Sequence, residues 1–160
     1  MNAKVHRRAG RLEHWSVYAV LWVRIAFGFH ALISGLNYFV PLFPLSGGPG
    51  PSPIESFQTE MMGIGMYGMI KGVEVVVGVF LLANRLVPLM VIVEMPITVA
   101  IAYLCFVVDR SPGIVFSGAR EVFFNCVLLA AYADYFLPLL AWRARYSPIW
   151  ARRPGKSGVI

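Results

Sequence analysis

The sequence predicts an all-α fold, a bundle of four transmembrane helices with both termini in the cytoplasm. Of its 160 residues, 58% are hydrophobic and 14% are charged, whereas soluble domains have about 45–50% apolar and about 25% charged residues. The mean hydropathy is +0.68. A single small core cannot bury this much apolar surface in water. A lipid phase around the chain is therefore predicted.

Four apolar runs account for most of the chain. They cover about residues 17–40, 62–83, 87–108 and 121–142. Each run exceeds the about 20 residues that cross the hydrocarbon layer at about 1.5 Å rise per residue. We therefore expect a four-span membrane domain over residues 17–142, after a basic segment at 1–16 and before a basic tail at 143–160. Because no small-residue cleavage site follows the first run, we expect that run to be retained.

The basic residues predict an orientation. The net charge is +6, but these residues cluster at the two ends, which favours a membrane topology over nucleic-acid binding. Ten Lys and Arg residues fall on the side of the termini and only Arg110 and Arg120 on the other side. Since cytoplasmic segments are enriched in Lys and Arg, both termini are expected in the cytoplasm. We expect a multi-pass protein of the bacterial cytoplasmic (inner) membrane, with the lipid bilayer as a partner.

The first loop predicts where the next helix begins. Residues 41–53 contain too many Pro and Gly residues for a regular element. Ser52 can then cap a helix whose first residue is Pro53, with Glu55 as the acid of a capping box. The helix of the second span is therefore expected to begin outside the membrane, near Ile54.

Several polar residues lie within the apolar runs, where an ionisable group costs about 2.5–3.5 kcal/mol. These candidates for ligand binding or proton handling are Arg24, His30, Asn37, Lys71, Glu74, Glu94 and Asp134. Lys71 and Glu74 are three residues apart on one helix face, so we expect an ion pair. With two cations and three carboxylates, one carboxylate should hold or share a proton. The alternative is that these groups only join the helices through hydrogen bonds.

One polar stripe follows the first span, because His30, Ser34 and Asn37 recur at helical spacing. A ring nitrogen of His30 could ligate haem or a pigment. However, the other spans contain no second histidine, which argues against axial ligation. No metal site is predicted, and the cofactor stays open, with a quinone or a lipid as the candidates.

Two further patterns concern packing. Cys105 and Cys126 fall near the outer ends of spans three and four, where they are either small apolar fillers or a thiol pair. A disulfide would need their α-carbons within about 7 Å. Gly65, Gly68 and Gly72 predict a close helix approach in span two.

The chain resembles the DoxX-like family of four-span membrane proteins over about residues 24–140. The resemblance is carried by Arg24-Ile-Ala-Phe-Gly, Ser34-Gly-Leu-Asn-Tyr-Phe, Lys71-Gly-Val-Glu-Val-Val-Val-Gly-Val-Phe-Leu-Leu, Asn84-Arg-Leu-Val-Pro-Leu and Pro96-Ile. Arg24, Asn37, Glu74 and Pro96 match the family pattern. The resemblance implies a four-helix membrane bundle, in some members associated with quinone-linked or thiol-linked redox complexes.

Three functions follow as hypotheses, because the sequence has no recognised catalytic constellation. The first is a non-catalytic accessory subunit of a quinone-linked respiratory or photosynthetic electron-transport complex, among other integral membrane subunits. The second is a stand-alone binder or carrier of a quinone, a lipid or a small acid. The third is a thiol-linked membrane oxidoreductase that uses Cys105 and Cys126.

Overall fold

The computed structural model of the chain describes residues 3–43 and 52–140, with side chains over 15–43 and 52–138. All regular elements within these ranges are helices, as predicted. They are α1 (Ala3–Phe39), α2 (Pro53–Gly63), α3 (Met66–Leu82), α4 (Val87–Tyr103), α5 (Pro112–Ala131) and α6 (Ala133–Phe136). A π-helical turn, Leu104–Val108, extends α4, and a 3₁₀ turn, Leu137–Leu140, follows α6.

Three described helices are long and apolar enough to cross a membrane, namely Trp15–Phe39, Val87–Val108 and Pro112–Ala131. The pair α2 and α3 becomes a fourth if it is counted as one span, although the two are bent by 96°. The chain therefore has the helices of a multi-pass membrane protein. Of the predicted basic segment at 1–16, the side chains of residues 1–14 lie outside the described ones, and the predicted tail at 143–160 lies outside the described residues.

The predicted capping box is confirmed, but the helix that it begins does not continue as the helix of the second span, because α2 ends at Gly63 and α3 begins at Met66. Ser52 Oγ accepts a hydrogen bond from the Glu55 amide at 3.2 Å, and Glu55 Oε2 accepts one from the Ser52 amide at 3.1 Å. Pro53 occupies the first turn. The bend between α2 and α3 falls at Gly65, whose φ of +75° favours glycine. No residue of α2 is buried, so this helix projects from the packed helices.

A tight turn joins α3 to α4 and makes the two helices antiparallel. Asn84 and Leu86 both have positive φ, at 54° and 50°. Asn enters this region readily because its short side chain bonds locally, whereas Leu86 is strained there. An Arg24 Nη1 hydrogen bond to Asn84 Oδ1 ties α1 to this turn.

The last two spans differ in how well the sequence predicted their ends. The third was expected over 87–108, and the helix runs over Val87–Val108. The fourth was expected over 121–142, but its helix begins at Pro112 and ends at Ala131. The early start arises because proline at the first helical position has no amide hydrogen to leave unpaired. The expected end at Trp142 lies outside the described residues.

Glycines bring α1 and α3 into close contact. A Cβ added to Gly35 would lie 2.6 Å from the Lys71 carbonyl oxygen, and one added to Gly78 would lie 2.6 Å from the Leu32 amide nitrogen. Only glycine fits at such distances. The backbone of Lys71 is therefore held directly against α1.

The close approach predicted at Gly65, Gly68 and Gly72 is wrong for two of these residues. A Cβ at Gly65 or Gly72 would meet no atom within 4 Å. At Gly68 it would lie 3.3 Å from the Tyr38 ring. Spacing alone did not identify the helix face that packs, since Gly78 lies six residues beyond Gly72.

An apolar core fills the half of the molecule nearest the α3–α4 turn. Its buried members are Val23, Phe27, Val77, Leu81, Val87, Met90, Val91, Phe124 and Leu128. Along α1 and α4 these residues precede His30 and Glu94, whereas along α3 and α5 they follow Glu74 and Glu121. Because neighbouring helices alternate in direction, the polar residues lie on the other side of this core.

Candidate functional site

The first part of the site is the predicted ion pair of α3, which is confirmed. Lys71 Nζ lies 2.8 Å from both carboxylate oxygens of Glu74 and 2.8 Å from Ser34 Oγ on α1. The side chains are 12% and 5% exposed. Lys71 Nζ also lies 5.3 Å from the centre of the Tyr67 ring. These contacts use all three ammonium hydrogens.

The second part joins α1 to α5 through His30. Its Nε2 lies 3.1 Å from Glu121 Oε2 and 3.1 Å from Arg120 Nη2. Arg120 Nη2 also lies 3.5 Å from Ser117 Oγ. One ring nitrogen cannot donate to Glu121 and accept from Arg120 at once. Nε2 therefore serves one of these two partners, and Nδ1, at 3.3 Å from the same Arg120 nitrogen, is the other ring atom within reach of Arg120.

Glu94 on α4 supplies the third part. The residue is 1% exposed, and its Oε2 has no hydrogen-bond partner among the described residues. It lines a small cavity of about 40 Å³ with Glu74, Glu121 and Ser34. We call this space the carboxylate cavity; its remaining walls are His30, Ala31, Lys71 and Ile101.

A larger pocket of about 210 Å³ adjoins the carboxylate cavity. This His30 pocket is lined by His30, Ile33, Ser34, Asn37, Tyr38, Phe43, Tyr67 and Lys71. The two spaces share His30, Ser34 and Lys71 as walls. The polar stripe predicted on α1 thus faces α3 across the pocket, and aromatic rings complete the wall.

Asn37 has a structural role at the rim of the pocket. Its Oδ1 accepts hydrogen bonds from the amides of Leu42 and Phe43, at 2.8 Å and 2.7 Å. These bonds hold the chain that follows α1 and position Phe43 in the pocket wall. The Asn37 NH₂ group stays available as a donor.

The structure brings four of the predicted residues together, His30, Lys71, Glu74 and Glu94. Arg24 does not join them, because it bonds to Asn84 at the α3–α4 turn. Asp134 is exposed on α6. The sequence grouped both with the other candidates for ligand binding or proton handling, but the walls of the two polar cavities do not include them.

Sequence reasoning missed Arg120 and Glu121 as members of the site. It assigned Arg120 to a loop and used Glu121 as the first residue of span four. The signal was the Ser-Pro pair at Ser111 and Pro112, which starts α5 earlier. That start places Arg120 and Glu121 more than two helical turns into the helix.

The cysteines do not form the possible thiol pair. Both are free, with Cys105 buried and Cys126 exposed. A Cβ at Gly118 would lie 3.0 Å from Cys105 Sγ, so Cys105 packs against the Gly118 turn of α5. Cys126 is eight residues further along α5, about 12 Å by helical rise, which is too far for a bridge.

Comparisons with known proteins do not identify the chain, and the arrangement of its potential metal ligands does not indicate a metal site in the described residues. No protein family, no curated protein and no solved structure matches the chain. In the described part of the chain, no group of three or more His, Cys, Asp or Glu side chains is arranged to hold a metal ion. The function of the chain is therefore inferred from the two polar cavities and the charges around them.

Proposed function

We propose that this chain is a membrane protein that binds the head group of a quinone in the His30 pocket. The observation that carries this proposal is a pocket with aromatic walls and several neutral hydrogen-bond donors, placed among membrane-type helices. A quinone ring is flat and offers only carbonyl acceptors, which matches such walls.

The hydrogen-bond donors of the His30 pocket favour a neutral ligand over an acid. Lys71 already donates to Glu74 and Ser34, so an anionic ligand would have to displace a carboxylate. The Ser34 hydroxyl accepts from Lys71 and keeps its own hydrogen to donate, as does the NH₂ group of Asn37. A carbonyl oxygen can accept from either group without breaking the ion pair.

The size and the opening of the pocket fit a head group with an apolar tail. Its volume of about 210 Å³ lies below the about 300–1,000 Å³ of sites for drug-sized ligands. A single ring therefore suits the pocket better than a whole lipid. Ile33, which lines the pocket, is 41% exposed on the apolar outer surface. A tail can leave beside Ile33 into lipid.

Equilibrium binding of a short-chain benzoquinone to the protein in nanodiscs tests this proposal. We expect saturable binding at one site. Ser34→Ala and Asn37→Ala should each weaken it about fivefold, since one hydrogen bond contributes about 1 kcal/mol. Asp134→Asn is the matched control, because Asp134 lies outside the pocket. Equal affinity in all four proteins, or uptake that does not saturate, would contradict the proposal.

An accessory subunit of a quinone-linked redox complex is the second candidate. The observation that favours it is α2, which stands at 96° to α3 and has no buried residue. Exposed apolar side chains of α2 and its C-cap residue, Phe57, Met62 and Ile64, form a surface that a neighbouring subunit could cover. Native gels of mildly solubilised membranes test this second candidate. We expect the protein to migrate in a larger complex, and migration of the protein alone would contradict this function.

We also propose a DoxX-like four-span bundle in a bacterial inner membrane, with both termini in the cytoplasm. The support is the excess of Lys and Arg on the side of the termini. Single cysteines can be placed in the loop at 44–51 or in the tail at 143–160, in a chain with Cys105 and Cys126 replaced. An impermeant thiol reagent applied to whole cells should label only the loop; labelling of the tail would reverse the orientation.

A further inference from the structure

We infer that Glu94 is a proton-exchange site that is only partly protonated while the His30 pocket is empty, and that binding of a quinone head group in this pocket completes its protonation. The second half of this inference rests on the proposed function, whereas the first half stands on the geometry of the charges alone.

The charges around the carboxylate cavity do not balance. Three carboxylates, Glu74, Glu94 and Glu121, face two cations, Lys71 and Arg120. Because a net charge at membrane depth is costly, one proton is needed on a carboxyl or on His30. Electroneutrality of the cluster therefore requires one proton beyond those of its permanent cations.

The hydrogen bonds show where this proton is best placed. Glu74 accepts two hydrogen bonds from Lys71, and Glu121 faces His30. Glu94 Oε2 has no donor within the described residues. A buried carboxylate oxygen without a donor is unfavourable. Protonation of Glu94 removes that charge and breaks no hydrogen bond.

Every packed helix contributes groups that act on Glu94. His30 comes from α1, Lys71 and Glu74 from α3, and Arg120 and Glu121 from α5. The carboxylates favour a neutral Glu94, whereas Lys71 favours the ionised form. A second charged residue is absent from α4 itself. The protonation state of Glu94 thus depends on opposing electrostatic effects of nearly equal size, and a change in the His30 pocket can shift it.

The carboxylate cavity gives the proton a route. Its volume of about 40 Å³ accommodates one water, whose share of liquid volume is about 30 Å³. Since His30, Ser34 and Lys71 line both spaces, this water would connect Glu94 to the His30 pocket. The apolar core blocks the other direction, because residues such as Val77 and Val91 are fully buried there.

The coupling follows from water exclusion. While the pocket is empty, its water reaches the carboxylate cavity past the shared walls and keeps Glu94 ionised in part of the molecules; a head group in the pocket displaces this water and disfavours the charge. The Glu94 carboxylate then takes one proton from a water molecule in the cavity and leaves hydroxide, which bulk buffer neutralises. Since the ligand favours the protonated form, raising the pH must weaken binding, by up to about tenfold per pH unit for one proton.

Infrared spectroscopy of the protein in nanodiscs tests the first half. The carbonyl stretch of a protonated carboxyl, which shifts in D₂O, should disappear as the pH is raised. We expect this band to be missing in Glu94→Gln, to be moved in Glu94→Asp, and to be unchanged in Glu60→Gln, which alters an exposed acid of α2. A band that persists in Glu94→Gln would overturn the proton site. If Glu94→Gln does not fold, the shift of the band in Glu94→Asp provides the test instead.

Binding of the same short-chain benzoquinone across a pH series tests the second half. The affinity of the natural chain should fall with increasing pH, while the affinity of Glu94→Gln should stay constant. A pH-independent affinity in the natural chain would overturn the coupling and leave quinone binding intact. If no quinone binds at any pH, the proposed function and the coupling both fail, whereas the infrared band still decides whether Glu94 holds a proton.

Discussion

Lys71 and Glu74 form a buried ion pair in which Lys71 Nζ lies 2.8 Å from both carboxylate oxygens. Ser34 on α1 accepts the third ammonium hydrogen at the same distance. This contact crosses the close interface of α1 with α3, where Gly35 meets the backbone of Lys71. The pair is therefore connected to α1 through Ser34, and Lys71 lines both polar cavities, whereas Glu74 lines the carboxylate cavity.

We predict that removing the lysine is more damaging than removing the acid. Lys71→Met leaves three carboxylates against Arg120 alone and should cost about 3–5 kcal/mol, the range for breaking a buried pair. Glu74→Gln leaves two carboxylates against two cations and should cost less. Unfolding midpoints in mixed micelles measure both, with Glu60→Gln as the control. A larger loss in Glu74→Gln than in Lys71→Met would contradict the charge count.

Asn37 should act mainly through its carbonyl oxygen at the end of α1. Asn37→Ala removes the acceptor for the Leu42 and Phe43 amides, so we expect a loss of about 1–2 kcal/mol of stability. Asn37→Asp keeps an acceptor and should restore most of this loss, which unfolding midpoints would show. Equal loss in both variants would mean that the two amide bonds do not hold this segment.

The sequence predicted the local features of this molecule better than its packing. The capping box at Ser52 and the Lys71–Glu74 pair depend on residues three apart, so helix geometry fixes them without tertiary information. The membrane-type helices follow from apolar run length in the same way.

The parts that could not be predicted depend on which helix faces meet. Gly78 and Gly35 lie at the contact of α1 with α3, whereas Gly72 faces open space, and no local pattern shows which glycine of a helix meets another helix. Glu121 became part of the site only because α5 begins at Pro112. A charge count over single helices cannot show that His30 and Glu121 meet, since they are far apart in the chain and no local rule pairs them.

Two glycines of α3 provide a matched test of the α1–α3 contact. Gly78→Ala places a methyl group 2.6 Å from the Leu32 amide nitrogen, and such overpacking costs about 1–3 kcal/mol. Gly72→Ala meets open space and should gain up to about 1 kcal/mol from helix propensity. Unfolding midpoints should therefore move in opposite directions. A similar shift for both variants would show that the two helices are further apart than the structure has them.

The two thiols should differ in reactivity and should not respond to reductant. Cys126 is exposed on α5, whereas Cys105 is buried against Gly118. A membrane-permeant maleimide should therefore label Cys126 in the folded protein and Cys105 only after denaturation. Cys126→Ser and Cys105→Ser assign the labelled site. If reductant increases labelling of either thiol, a disulfide exists in the native protein and the thiol-linked oxidoreductase hypothesis regains support. Unchanged labelling removes it, because without a disulfide this pair cannot exchange electrons with a thiol substrate.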